Sequence, residues 1–167
     1  MDREKGFSLI ELLIVVAIIL IIAAIAIPSM LKARAAANQA SAVGSLRTLN
    51  TAEVTYASTY NTGYSFTLAA LGGTGVATIN NAELIDSILA GGVKSNYNFY
   101  YVACPAPPGP NAGGMANGGC TLVLNYQISA NPVGGVGTGN FYYTDASGVT
   151  RQNPTALAGP TDAPLAG

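Results

Sequence analysis

The chain contains no histidine and no tryptophan, and only two of its 167 residues are cysteine. Without an imidazole, histidine-based acid–base catalysis and Ser–His–Asp chemistry are excluded. Cys104 and Cys120 have no further thiol or imidazole to complete a zinc site. Charge is also scarce. Asp, Glu, Lys and Arg make up 9% of the chain, against about 25% in an average soluble domain. The net charge is −1, which leaves no electrostatic footprint for nucleic acid. The glycine clusters lack the strand–turn–helix context and the lysine of a phosphate loop. Beyond the first few residues the acids are Glu11, Glu53, Glu83, Asp86, Asp145 and Asp162. Glu83 and Asp86, three apart, read as a solvated helix face. Asp145 and Asp162 are too far apart in sequence to suggest the several oxygen ligands that calcium wants. The expectation is a protein that is not an enzyme and has no metal site and no cofactor.

What the chain does have is one long apolar run. From Leu12 to Ile27 every residue is apolar, and Glu11 sits just inside the entrance. A carboxylate in a membrane costs about 2.5–3.5 kcal/mol at the midplane on insertion scales, and less near the interface. It calls for a cation, yet no Lys or Arg follows until Lys32. The preceding residues, Gly6 and Phe7, suggest one. A cut between them would create an α-amine on Phe7, about one helical turn from Glu11.

The segment G-F-S-L-I-E-L-L-I-V-V-A-I-I-L-I-I-A-A-I-A-I-P, residues 6–28, resembles the N-terminal signature of the type IV pilin and pseudopilin superfamily, and is most like a type IVa major pilin. The resemblance is close over Lys5–Pro28 and extends to about Tyr60. It implies a leader peptide over residues 1–6, removed by a prepilin peptidase between Gly6 and Phe7, with N-methylation of the new Phe7. It implies that Glu11 is the assembly glutamate, pairing with the Phe7 amine of an adjacent subunit, and that Pro28 bends the helix. Such pilins usually have a glycine within the span and a second proline further on; here Leu20 and Thr48 stand in those places. Arg3 and Lys5 before the span balance Lys32 and Arg34 after it, so the positive-inside rule does not orient it. The resemblance does: leader inside, body outside.

The remaining chain is read in four stretches. Residues 7–30 form the hydrophobic transmembrane or filament-core helix, and residues 31–60 its amphipathic continuation. Good helix formers resume directly after Pro28. Ala36, Ala40, Val43, Leu46, Leu49 or Asn50, Val54, Ala57 and Tyr60 follow helical spacing, so this stripe is expected to bury against a sheet. Asn61-Thr62-Gly63 ends the helix. Residues 61–96 connect, with one short helix capped by Thr67 and stopped at Gly72-Gly73. A second, capped by Asn80 or Asn81, places Glu83 in its first turn and stops at Gly91-Gly92. Residues 97–167 form an antiparallel sheet with an irregular tail. The strand candidates are Tyr97–Cys104, Cys120–Ser129, Asn140–Thr144 and Val149–Gln152. The last two are joined by the turn Asp145–Gly148. In a chain whose body follows an export segment, Cys104 and Cys120 are expected to form a disulfide. It would close a Pro- and Gly-rich loop and contribute roughly 3 kcal/mol in the chain-entropy view. Nine tyrosines fall largely on the strands and are expected in the core or at interfaces.

The expected fold is therefore α+β: a long N-terminal helix packed on a roughly four-stranded antiparallel sheet. The expected function is a structural subunit of a type IV pilus-like surface filament. Its partners are other copies of itself, the prepilin peptidase, the inner-membrane assembly machinery, and the membrane before assembly. It sits in the inner membrane as a prepilin and then in an extracellular filament. The rival readings are a type II secretion pseudopilin and a minor or competence pilin that binds DNA. Two more are a domain released by ordinary signal peptidase after Ala24-Ile25-Ala26 and a plain membrane-anchored surface domain.

Overall fold

A computed structural model describes residues 8–103, 122–135 and 137–165. Gly6, Phe7, Cys104 and Cys120 lie outside the described residues, as does the Pro105–Gly119 loop. The chain divides into two units, one up to Ala36 and one from Ala37 onward.

Helix α1 runs over Leu9–Tyr60. In the first unit it carries the apolar run Leu12–Ile27, and every Leu, Ile and Val from Leu9 to Ile27 is exposed. Pro28 lies inside the helix. Its missing N–H leaves the Ala24 carbonyl without the usual donor. The helix continues because alanines and other strong helix formers follow it.

In the second unit the inward face of α1 keeps Leu46 and Leu49 of the expected stripe, with Val43 and Tyr60 packed against the same core, but it departs from that stripe elsewhere. Ala42, Ser45, Leu46, Leu49, Ala52, Glu53 and Tyr56 are buried. Ala36, Ala40 and Val54 are exposed. The apolar count favoured Val54 and passed over Glu53, because a carboxylate reads as a surface residue. Glu53 has its own hydrogen-bond donors, described below, so the buried face rotates to include it. Asn50 binds the sheet instead of packing on it: its Nδ2 donates to Thr144 Oγ1 at 2.8 Å, and its Oδ1 accepts from Tyr126 Oη at 3.0 Å. Asn61 ends the helix in the left-handed region, at φ 54°, with its N–H on the Ala57 carbonyl. Gly63 follows at φ 78°, where a Cβ would stand 2.3 Å from the Val123 oxygen.

Helix α2, Leu68–Leu71, is capped by Thr67, whose hydroxyl accepts from the Ala70 N–H. The second short helix differs from expectation. Helix α3 covers Ser87–Ala90 and its cap is Asp86, not Asn80 or Asn81. Glu83 lies outside it, at φ 54°. The intervening segment is tied to α2, where Ala82 and Leu84 donate to the carbonyls of Ala70 and Leu71. Asn81 exchanges backbone bonds with Thr78.

Among the described residues the sheet has five strands in the order β1-β2-β3-β4-β5, each antiparallel to the next. They are β1 Val93–Lys94, β2 Tyr97–Ala103, β3 Tyr126–Pro132, β4 Phe141–Asp145 and β5 Arg151–Asn153. The strand additional to the expected four is β1. It joins β2 through Ser95-Asn96, both at positive φ. Two positive φ values at a two-residue hairpin are the geometry of a type I′ turn, here made without glycine. Strand β3 starts later than expected because Val123 bridges Gly63 instead. The tail lies along β5: Gln152 N–H donates to the Ala163 carbonyl, and Leu165 N–H to that of Thr150. This pairing covers an edge that would otherwise template aggregation.

The core joins Leu46, Leu49 and Tyr56 of α1 to Phe99, Ile128, Ala130 and Tyr142 of the sheet. Tyr97, Tyr126, Tyr142 and Tyr143 are buried, whereas Tyr100 faces solvent. Alternation along β2 explains the difference: Tyr97 and Phe99 point inward and Tyr100 outward.

Candidate functional site

The candidate site is the start of α1. Ser8 precedes the first helical residue, Leu9, and Glu11 stands three residues after Ser8. This is the S-x-x-E capping spacing. The Glu11 carboxylate turns back and accepts the Ser8 N–H at 3.0 Å, the direction in which helical side chains lean. The Ser8 carbonyl accepts from the Glu11 and Leu12 amides at 3.1 and 3.3 Å. Glu11 thus satisfies an amide at the helix entrance, where the partial positive charge of the helix dipole also favours it. Glu11 is itself exposed.

Behind it, the apolar segment is long and apolar enough to cross a membrane by length and composition. At about 1.5–3 kcal/mol per large side chain removed from water, covering this surface is worth tens of kcal/mol. Lipid or other apolar helices can supply that cover. The described residues of the first unit supply none, since every Leu, Ile and Val from Leu9 to Ile27 is exposed.

The other acids have local roles. Asp86 accepts the Leu89 N–H at 2.9 Å and Lys94 Nζ at 2.8 Å. The Lys94 bond, followed by the Leu89 amide, holds its carboxyl below the usual carboxylate range. Asp145 organises its turn through the Ser147 N–H and accepts Tyr143 Oη. Asp162 accepts the Gly159 N–H and Asn153 Nδ2. Among the described residues no three His, Cys, Asp or Glu side chains gather into a possible metal site.

Sequence reasoning missed Glu53. It is 0% exposed. Its Oε2 accepts the Ser65 N–H at 2.9 Å and its Oε1 lies 2.7 Å from Ser65 Oγ. Burial pushes this carboxyl up, against the lowering effect of the Ser65 hydrogen bonds. The available signal was its place in register with Leu46, Leu49 and Tyr56, the residues that line the core.

Residues 1–27 match the family described as "Prokaryotic N-terminal methylation motif". The chain is similar to the type IV major pilin protein PilA of Myxococcus xanthus, 52% identical over 54 residues, or 32% of this chain and 24% of that protein. It is also similar to the type IV wide pilus major component PilA4 of Thermus thermophilus, 63% identical over 38 residues, or 23% of this chain and 29% of that protein. The matches thus span about a quarter of the length of these curated relatives. No solved structure matches the chain. The chain is thus similar to type IV major pilins over its N-terminal segment, and its long helix with an antiparallel sheet is an α+β architecture.

Proposed function

We propose that this chain is a structural, non-enzymatic subunit of a type IV pilus-like surface filament. The carrying observation is the methylation-motif match over residues 1–27 together with Glu11 at the head of a helix whose apolar side chains are exposed. In this reading a prepilin peptidase cuts between Gly6 and Phe7 in the inner membrane and Phe7 is N-methylated. The assembly machinery then moves the subunit from lipid into the filament. There the apolar helices cover one another, and the Phe7 amine of one subunit pairs with Glu11 of the next. Such a pair, shut in a dry core, sets register more than it adds stability. Pro28 bends the helix within the bundle, and Cys104 and Cys120 form a disulfide in the head.

The test is the intact mass and N-terminal sequence of the protein in a sheared cell-surface fraction. A chain beginning at methylated Phe7 in that fraction is the expected result. A start at Ile27, or an uncut Met1, would overturn the filament reading. The same mass, taken after alkylation with and without reductant, reads the disulfide: two cysteines should react only after reduction.

A further inference from the structure

Among the described residues, Glu53 is the one charged side chain that is buried, and it has no cationic partner. The single ion pair among those residues is Lys94–Asp86, elsewhere in the head. The titratable groups that face Glu53 are Tyr56 on its own helix, Tyr101 on β2 and Tyr126 on β3. All three are phenols, and none can neutralise a carboxylate. The segment after α1 adds the Ser65 amide and hydroxyl. An ionised carboxylate closed off in this way pays a desolvation penalty that two hydrogen bonds offset only in part.

The hydrogen bonds around it admit a second arrangement. Ser65 Oγ lies 2.7 Å from Glu53 Oε1 and 3.1 Å from the Thr67 carbonyl oxygen. When Glu53 is ionised, the Ser65 O–H donates to Oε1 and the Thr67 contact goes unused. When Glu53 takes up a proton on Oε1, that O–H donates to Ser65 Oγ, and the Ser65 O–H swings to the Thr67 oxygen. No heavy atom need move. The Ser65 N–H stays on Oε2 at 2.9 Å, and Tyr101 Oη stays on the Ser65 carbonyl at 2.7 Å. The protonated arrangement uses each of these groups and buries no charge.

We propose that Glu53, Ser65 and Thr67 form a proton-operated latch that fastens the segment following α1 to the helix, closed while Glu53 carries a proton and weakened when it ionises. Thr67 also caps α2, so the latch ties the end of α1 to the start of the next helix. Burial raises the carboxyl above its ordinary value of 4.5. The latch therefore contributes fully below that ordinary value, and its contribution is lost as pH rises through the folded-state value. This latch is fastened most tightly in acid.

The experiment uses the full-length chain in detergent micelles. Unfolding of the head is followed by tyrosine near-ultraviolet circular dichroism from about pH 5 to about pH 9, in wild type and Glu53→Gln. Gln is the neutral isostere: its amide donates to Ser65 Oγ and its carbonyl accepts the Ser65 N–H. Loss of one proton changes the folding equilibrium constant by up to about tenfold per pH unit. Wild type should lose stability with that dependence as pH rises. Glu53→Gln should lack this component and exceed wild type at the alkaline end. Equal pH slopes in the two proteins overturn the latch. Should Glu53→Gln not fold, Ser65→Ala decides. It removes a hydrogen bond that holds the carboxyl down, so the pH range of the loss should move upward. A uniform loss of stability at every pH, as from any core defect, overturns the proposal.

Discussion

The face that α1 turns toward the sheet is testable with two substitutions five residues apart. Leu49 is 0% exposed, and Val54 is 60% exposed. Apolar spacing alone puts both in one buried stripe. Truncating a fully buried leucine to alanine costs about 2–5 kcal/mol, from lost transfer energy and the cavity left behind. Leu49 packs in the cluster that holds Leu46, Tyr56, Ile128 and Ala130, and close-packed neighbours of this kind relax only partly. A loss near the middle of that range lowers the unfolding midpoint by roughly 10–15 °C in a unit of this size. Val54→Ala removes mainly exposed surface and gains a few tenths of a kcal/mol in helix propensity, so its net effect is within about 0.5 kcal/mol of zero. Both variants are compared with wild type by thermal and denaturant unfolding of the dispersed full-length protein, where no neighbouring subunit covers Val54. Equal losses for the two, or a larger one for Val54→Ala, would refute the observed helix face.

Other expectations follow from the acids and the phenols. Glu11→Ala should abolish surface filaments while the protein stays in the membrane, scored by shearing and membrane fractionation; filaments in that strain would sink the assembly role. Asp86→Ala, which removes the cap of α3, should cost about 0.5–2 kcal/mol, whereas Asp86→Asn keeps the cap and should cost a few tenths. Because the Asp86 carboxyl is held low, its contribution is present above the usual carboxylate range and is lost as pH falls through the folded-state value, opposite in sign to Glu53. Burial, and secondarily Tyr142, pushes the Tyr97 phenol up to about 12. Its contribution is present below the ordinary phenol value and is lost as pH climbs through the raised one. Phenolate absorbance of the buried tyrosines should therefore rise together with loss of near-ultraviolet circular dichroism. Titration of every tyrosine near pH 10 with that signal retained would contradict their burial.

The differences between sequence expectation and structure share a physical cause. The expected stripe on α1 counted apolar residues, but a polar residue can be buried once its donors are supplied. Those donors came from Ser65, twelve positions away in the chain. Thr67 was legible as a cap because capping is local: its hydroxyl bonds an amide three residues on. Asn81 looked equally suited, yet its surroundings pair it with Thr78 and leave Asp86 to start α3. Strand β1 escaped notice because its turn uses Ser95-Asn96 in place of the glycine such turns favour. The start of β3 was misplaced because Val123 pairs across the chain with Gly63.

The sequence by itself determined the apolar span, the carboxylate at its entrance, the helix continuing beyond Pro28 and the antiparallel sheet. These rest on local propensity, on periodicity and on a motif of contiguous residues. Only the tertiary structure decided which face of α1 is buried, how the tail covers β5, and that Glu53 lies inside the head with Ser65 as its partner. Those depend on contacts between residues far apart in the chain, where a hydrogen bond to a buried group can outweigh the hydropathy of the residue that makes it.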